Sequence, residues 1–361
     1  MFKVNTYQRY LMREVLAAVL LVLLAFLALF SFFNFVDELR NVGRADYTAG
    51  RAALFVALGL PGLVYELIPI AALIGTLYAL STLARHSELT VLRASGLATS
   101  DLLMTLFRAA ALLALLTFVF GEVLVPFSER LAQEIKAKAL SKVIARSGLE
   151  SGLWIKDGRS FINIRKANSD ATLEGVRIYR FTADNTLESV TDAREATFQL
   201  PDRWLLKGVV RTVLDADTSR VESSDSADWH SAVNPDLLAI LTVAPERMSL
   251  YGLYNYTRHL VENKQKAERY QIALWKKLVY PLTALVMVAL ALPFGYSHDR
   301  VGGVSLKIFA GVMLGILFYA LNGLFSNLGV INSWPPFASA TAPAALFLVT
   351  AMGMLSWVER R

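Results

Sequence analysis

The sequence predicts an α-helical membrane protein with six transmembrane helices and an inserted all-β, jellyroll-like domain. Three observations carry this. Of 361 residues, 55% are hydrophobic, mean hydropathy is +0.45 and charged residues make up 18%, too apolar a balance for an ordinary soluble protein. Long uncharged runs fall into two groups, one before residue 127 and one after residue 270. Between them the pattern changes to short alternating stretches rich in β-formers.

Met1–Glu14 is short and carries Lys3, Arg9 and Arg13. Val15–Val36 has no charge over 22 residues, enough to cross a ~30 Å hydrocarbon core at ~1.5 Å per residue. It is too long for a signal-peptide core and no A-x-A site follows, so it reads as an uncleaved first span. Asp37, Glu38, Arg40, Arg44 and Asp46 form a polar collar beyond it. Ala52–Leu83 is apolar apart from Glu66, and such a helix would be ~48 Å long, more than a bilayer needs. Pro61-Gly62 offers a break, predicting an interfacial helix and then a second span over Leu63–Leu83. Glu66 then reads either as an interfacial acid or as a functional intramembrane carboxylate.

Ser87–Gly96, SELTVLRASG, reads as a short capped helix. Ser87 is the expected N-cap and Glu88 suits the positive end of the dipole. Arg93 suits the last turn, and Gly96 the left-handed cap. Leu89 and Leu92 share one face, too small to fold alone. Thr99 or Ser100 is expected to cap the third span, Leu102–Val125, with Glu122 and Pro126 at its outer end. Ser128–Arg146 reads as a polar helix continuing it, and Gly148 as its stop.

From Leu149 the segments WIKDGRSFINIRKA, GVRIYRFTADNTLESV, REATFQL and RWLLKGVVRTVL predict short strands of a sandwich or jellyroll. Ser249 is expected to cap a return helix. The fourth span is predicted over Ile272–Leu292, the fifth over Val304–Leu324 and the sixth over Phe337–Val358, with Phe325–Pro336 as an outer loop. The units are therefore spans 1–3 over 1–127, with the cytoplasmic helix at 87–96, and a connecting helix over 128–148. The β-domain follows over 149–247, a second connecting helix over 248–269, and spans 4–6 over 270–361.

The side with both termini holds Lys3, Arg9, Arg13, Arg85, Arg93, Arg300, Lys307, Arg360 and Arg361. The opposite short loops hold Arg40, Arg44 and Arg51, largely matched by acids. The bias of bases toward the inner side predicts cytoplasmic termini and an external β-domain. The net charge of +6 sits in and beside the apolar segments, since 128–270 holds 21 Lys+Arg against 20 Asp+Glu. No basic–aromatic stripe points to nucleic acid. The chain has no cysteine, which excludes disulfides and thiolate metal sites. No G-x-x-x-x-G-K-[ST], G-x-S-x-G or H-E-x-x-H motif occurs. His259-Leu-Val-Glu262 is half a metal motif without a second histidine, read as a solvated helix face. Gly311 and Gly315 form a G-x-x-x-G pair suited to close contact with another span.

Three parts together resemble one family: SELTVLRASG, the β-insert, and Tyr270–Leu282 running on to Leu292-Pro-Phe-Gly295. This resembles the LptF/LptG permease family of the lipopolysaccharide exporter, and its LptG branch above all, from FVDELR at Phe35–Arg40 and GLW at Gly152–Trp154. The resemblance implies a Gram-negative inner-membrane half-transporter that extracts lipopolysaccharide and passes it to a periplasmic bridge. Its implied partners are an LptF-type permease, a dimeric cytoplasmic LptB-type ATPase, a single-span LptC-type protein and periplasmic LptA-type proteins. No cofactor is implied on this chain; ATP and Mg2+ are used by the partner ATPase. Ser87, Glu88, Leu89, Leu92, Arg93 and Gly96 match the coupling helix, with Glu88 meeting a base of the ATPase.

The same resemblance implies substrate contacts at Arg40 and Lys136, with Asp37 beside them, and a gate packed at Gly311 and Gly315. Asn34, Asn41, Gly62 and Gln133 stand where some members carry Lys or Arg, leaving Arg44, Arg51 or Arg130 as replacements. Two rival classes stay open. One is a membrane-anchored interaction protein whose β-domain binds a partner. The other is a lipid-modifying enzyme using Glu66 or His259.

Overall fold

The computed structural model describes residues 6–44, 46–96, 98–146, 152–167, 172–199, 203–215, 218–231, 233, 244–296 and 303–360. Helix α1, Thr6–Leu39, is one unbroken rod built on the first uncharged run. Helix α2 runs over Ala49–Arg85, with Thr48 as its N-cap and the Thr48 hydroxyl accepting the Arg51 N–H. The expected break at Pro61-Gly62 is corrected: α2 stays a single helix containing both Pro61 and Pro69. Each proline removes a ladder bond and crowds the preceding turn. At Pro69 packing offsets this, because α2 is the central helix of the bundle, buried from Leu67 through Leu77 apart from the half-buried Ile70. Near Pro69 the Tyr280 hydroxyl donates to the Glu66 carbonyl at 2.7 Å.

Helix α3, Glu88–Ala94, is a short element before α4, Thr99–Val119. Ala98, rather than Thr99 or Ser100, takes the cap position of α4. A π-helical turn, Phe120–Leu124, joins α4 to α5, Val125–Arg146, so the third span runs on into the polar segment without a break. A Cβ on Gly121 in that turn would come within 2.6 Å of the Tyr65 ring, so the glycine lets α2 close on it.

After the β-domain, α6 covers Leu250–Glu262, and the Ser249 hydroxyl accepts the Gly252 N–H at 3.1 Å, as predicted. The return helix stops at Asn263, with Lys264 at φ +52°. The fourth span begins earlier than predicted, as α7, Glu268–Val279, continuing through the 3-10 turn Tyr280–Leu282 into α8, Thr283–Tyr296. Helices α9, Val304–Ile331, and α10, Pro336–Glu359, shrink the predicted outer loop to a tight turn with Ser333 at φ +50°. Most of the GYSHDRVGG loop, residues 297–302, lies outside the described residues. Six helical segments are long and apolar enough to cross a membrane among the described residues, and the chain is a multi-pass membrane protein.

The β-domain holds one antiparallel sheet in meander order: β1 Leu153–Asp157, β2 Ser160–Ala167, β3 Thr172–Phe181, β4 Leu187–Gln199, β5 Arg203–Leu214 and β6 Ser219–His230. Its buried face changes along the strands. Leu173 and Val176 are both buried on β3, as are Ala193 and Ala196 on β4, and Leu206 and Val209 on β5. A flat strand alternates with period two, so buried residues three apart require a bend between them. The register is the same on both sides of that bend, which crosses the sheet through Arg165, Gly175, Arg194 and Gly208. Gly175 and Gly208 lie at φ +65° and +62°, a region costly for other residues. The crease folds one sheet around a single core, in the manner of a sandwich, centred on Ile162, Ile164 and Trp204. The indole N–H of Trp204 donates to the Val233 carbonyl at 2.8 Å.

Candidate functional site

The inner candidate is the turn that carries α3. Ser87 directly precedes α3, where the N-cap was expected, but at φ +62° rather than in the extended backbone usual for a cap. Its N–H donates to Ala84 O and its carbonyl accepts from Val91 N–H, both at 3.0 Å, which swings the chain abruptly from α2 into α3. Gly96 sits at φ +94°, in the left-handed region expected of it. Leu89 is buried in the same core as Leu83, Leu102 and Leu106, while Leu92 is half-buried and Val91 exposed. The side chain of Arg93 lies outside the described residues. Glu88 is not a bare carboxylate: the Tyr10 hydroxyl of α1 donates to its Oε2 at 2.7 Å. Arg108 of α4 donates to Gln8 Oε1 at 3.0 Å, a second tie between α1 and the end of the bundle that carries α3.

The outer candidate gathers at the far end of α1. Asp37 and Arg40 form an exposed pair at 3.3 Å, and Arg44 donates to Asn41 Oδ1 at 3.4 Å. Glu38 between them is buried. It accepts from Tyr47 Oη at 2.8 Å and Asn41 Nδ2 at 3.0 Å, and pairs with Lys136 Nζ at 2.9 Å. The Lys136 ammonium also lies 4.5 Å from the centroid of the Phe55 ring. The structure thus brings Asp37, Arg40, Arg44 and Lys136 to one end of one helix, with Lys136 spanning from α5 to α1. Burial, with the Glu38 carboxylate beside it, pushes the Tyr47 hydroxyl above the ordinary tyrosine range.

A third cluster escaped the sequence reading. Arg247, just after the β-domain, donates to Glu129 Oε2 at 2.8 Å and lies 3.9 Å from Glu66 Oε1. Burial alone would lower this guanidinium; the Glu129, Glu66 and Glu246 carboxylates together outweigh it, and the net shift is upward. A Cβ on Gly62 would stand 3.9 Å from Arg247 Cζ, so a base from the return segment occupies the space beside a position where the family resemblance expected one. Glu122 accepts the Leu250 N–H at 2.9 Å and stands 3.8 Å from Lys277, whose ammonium donates to the Met248 carbonyl. These ties fasten the return from the β-domain onto α2, α5 and α7. The available signal was three acids, Glu66, Glu122 and Glu129, at the ends of apolar runs, each needing a counter-charge.

Gly311 and Gly315 face α2: Cβ atoms there would come within 2.5 Å of Leu77 Cδ1 and 2.8 Å of Ile70 Cγ2. The G-x-x-x-G pair therefore sets a close crossing of α9 on α2. The solvated face expected at His259 is corrected: the residue is buried beside Asn263. No cluster of His, Cys, Asp and Glu able to hold a metal ion forms among the described residues.

Comparison with known proteins adds the family. The model of the lipopolysaccharide export system permease LptF/LptG family matches residues 9–357. The chain is similar to the lipopolysaccharide export system permease protein LptG of Haemophilus influenzae, 30% identical over 98% of this chain and 99% of that protein. It is similar to LptG of Escherichia coli K12, 31% identical over 96% of this chain and 97% of that protein. Similarity to the E. coli K12 permease protein LptF, at 32% identity, covers 36% of each chain. With six spans, a β-insert and this end-to-end match, the chain belongs to the LptF/LptG lipopolysaccharide export permease family.

Proposed function

We propose that this chain is the LptG-type permease subunit of a lipopolysaccharide exporter in a Gram-negative inner membrane. The observation that carries the reading is the match to LptG proteins along nearly the whole chain, against about a third for LptF. In this reading an LptF-type permease completes the transmembrane cavity, and a dimeric LptB-type ATPase burns ATP with Mg2+ on the cytoplasmic side. LptC-type and LptA-type proteins continue the periplasmic bridge from the β-domain.

The geometry supports a division of labour. Leu89 roots α3 in the bundle, leaving Val91 and part of Leu92 to meet a partner groove. Glu88 sits at the start of that face with its carboxylate oriented by Tyr10. Closure of the ATPase pair would push α3 and tilt the helices rooted with it. At the outer end, the exposed guanidinium of Arg40 would meet lipid phosphates, with Arg44 near it and exposed apolar residues of α1 on its N-terminal side. The chain supplies docking and lipid contacts, and the hydrolytic chemistry belongs to the partner.

The test is a pull-down of the tagged chain from membranes. It is expected to bring an ATPase and a second permease, and Glu88→Ala to lose most of the ATPase. Recovery of the chain alone, or full ATPase recovery and lipid transport with Glu88→Ala, overturns the reading. A photo-crosslinker at Arg40 should capture lipopolysaccharide, and Arg40→Glu should impair loading.

A further inference from the structure

A trough of about 850 Å³ lies over the crease of the sheet, on the side away from its core. Its charged lining is Arg165, Arg177, Arg194, Glu174, Asp192 and Glu195. Every carboxylate here is met by a base: Glu174 by Lys166 at 3.2 Å, Asp192 by Arg177 at 2.5 Å, and Glu195 by Lys207 at 3.5 Å. Arg165 and Arg194 are different. Both are exposed, and neither has a carboxylate partner among the described residues.

The crease positions these two guanidiniums. Arg165 lies against Gly175, where an added Cβ would meet its stem at 3.1 Å. Arg194 lies against Gly208 in the same way, at 3.3 Å. The row therefore runs Arg, Gly, Arg, Gly across four neighbouring strands, with bare backbone beside each base. The two arginines are two strands apart, roughly 9.6 Å between stems, a spacing from which two long side chains can close on one phosphoryl group or hold two. Glycine at a positive φ leaves the floor open to close approach, and arginine forks fit phosphate oxygens in pairs.

We infer that this trough is a phosphate-binding site on the β-domain, with Arg165 and Arg194 as its ligands. Its occupant is a phosphate-bearing anion, either the phosphorylated headgroup of a glycolipid or free phosphate. The site stands independently of ATPase docking, so its test needs no partner.

The chain has no cysteine, so Val210→Cys at the rim of the trough accepts a single environment-sensitive fluorophore on the full-length protein in detergent. Titration with lipopolysaccharide micelles is expected to saturate the signal. R165Q/R194Q in the labelled chain should weaken binding at least about tenfold, the loss expected for even one charge-assisted contact. R165K/R194K should fall between, and R220Q on the edge strand should bind as the parent does. Inorganic phosphate that competes shows free phosphate to be a ligand; a lack of competition assigns the site to the headgroup. The inference is overturned if dephosphorylated lipopolysaccharide binds equally well, if R165Q/R194Q stays within twofold of the parent, or if neither probe gives a saturable signal.

Discussion

Replacing Arg247 by Met would leave Glu129 as a buried carboxylate without its cation. Removing one partner of a buried ion pair costs about 3–5 kcal/mol, because the remaining charge stays desolvated. Two features reduce that here. The Arg247 side chain is 35% exposed against 7% for Glu129, and Gln133 still donates to Glu129 Oε1 at 2.9 Å. We therefore expect Arg247→Met to cost about 2–3 kcal/mol. Neutralising the stranded acid should recover much of this, so E129Q/R247M should cost about 1 kcal/mol, with a coupling of about 1–2 kcal/mol in the full cycle. The four proteins are compared by denaturant titration of the full-length chain in one detergent, with limited proteolysis near residues 244–250 as a local readout. If Arg247→Met lies within about 0.5 kcal/mol of the parent, the range of an ordinary surface change, the pair carries no weight. A double variant less stable than R247M alone would refute the electrostatic argument itself.

Two further outcomes follow from the close packing and the buried polar contacts. Gly75→Ala would place a Cβ 2.5 Å from Val19 Cα, a backbone atom, whereas Gly311→Ala meets the rotatable tip of Leu77 at a similar distance. Overpacking costs about 1–3 kcal/mol, so Gly75→Ala should fall at the upper end and Gly311→Ala near the lower, and melting in detergent reads the order. Tyr47 has a folded pKa raised by burial and by Glu38, so its contribution is fully present below the ordinary tyrosine value of about 10 and fades as pH climbs toward the folded one. An alkaline stability scan should show Tyr47→Phe losing part of the parent's decline above about pH 10; identical slopes would contradict the buried Tyr47–Glu38 bond.

What the sequence made legible was whatever a local window contains. Val15–Val36 and the other uncharged runs became spans because a helix satisfies the whole backbone of such a run within the run itself. Ser249 was readable as a cap because its partner, Gly252, is three residues away. Helix ends were harder. Pro61 looks like a stop in a window of ten residues, yet α2 runs through it into the buried part that begins at Gly62. Ser87 has the composition of a cap and the backbone of a turn, because the end of α2 constrains it from behind. The charge clusters were the least legible. Arg247 meets Glu129 across 118 positions, Lys136 meets Glu38 across 98, and no periodicity announces such pairs. The crease shows in the sequence only as apolar residues three apart, Leu173 with Val176 and Leu206 with Val209, which resemble helical spacing when read alone.

The contact between Val19 and Gly75 gives α1 a fulcrum. Below it lie about 20 Å of helix, down to Thr6, and above it about 30 Å, up to Leu39. A stiff beam resting on such a point behaves as a see-saw with unequal arms. Any sideways nudge delivered through Tyr10, about 14 Å below Val19, emerges at Glu38, about 29 Å above it, reversed in direction and about twofold larger. The short arm ends where a motor would push, and the long arm where a bulky lipid would need room to pass.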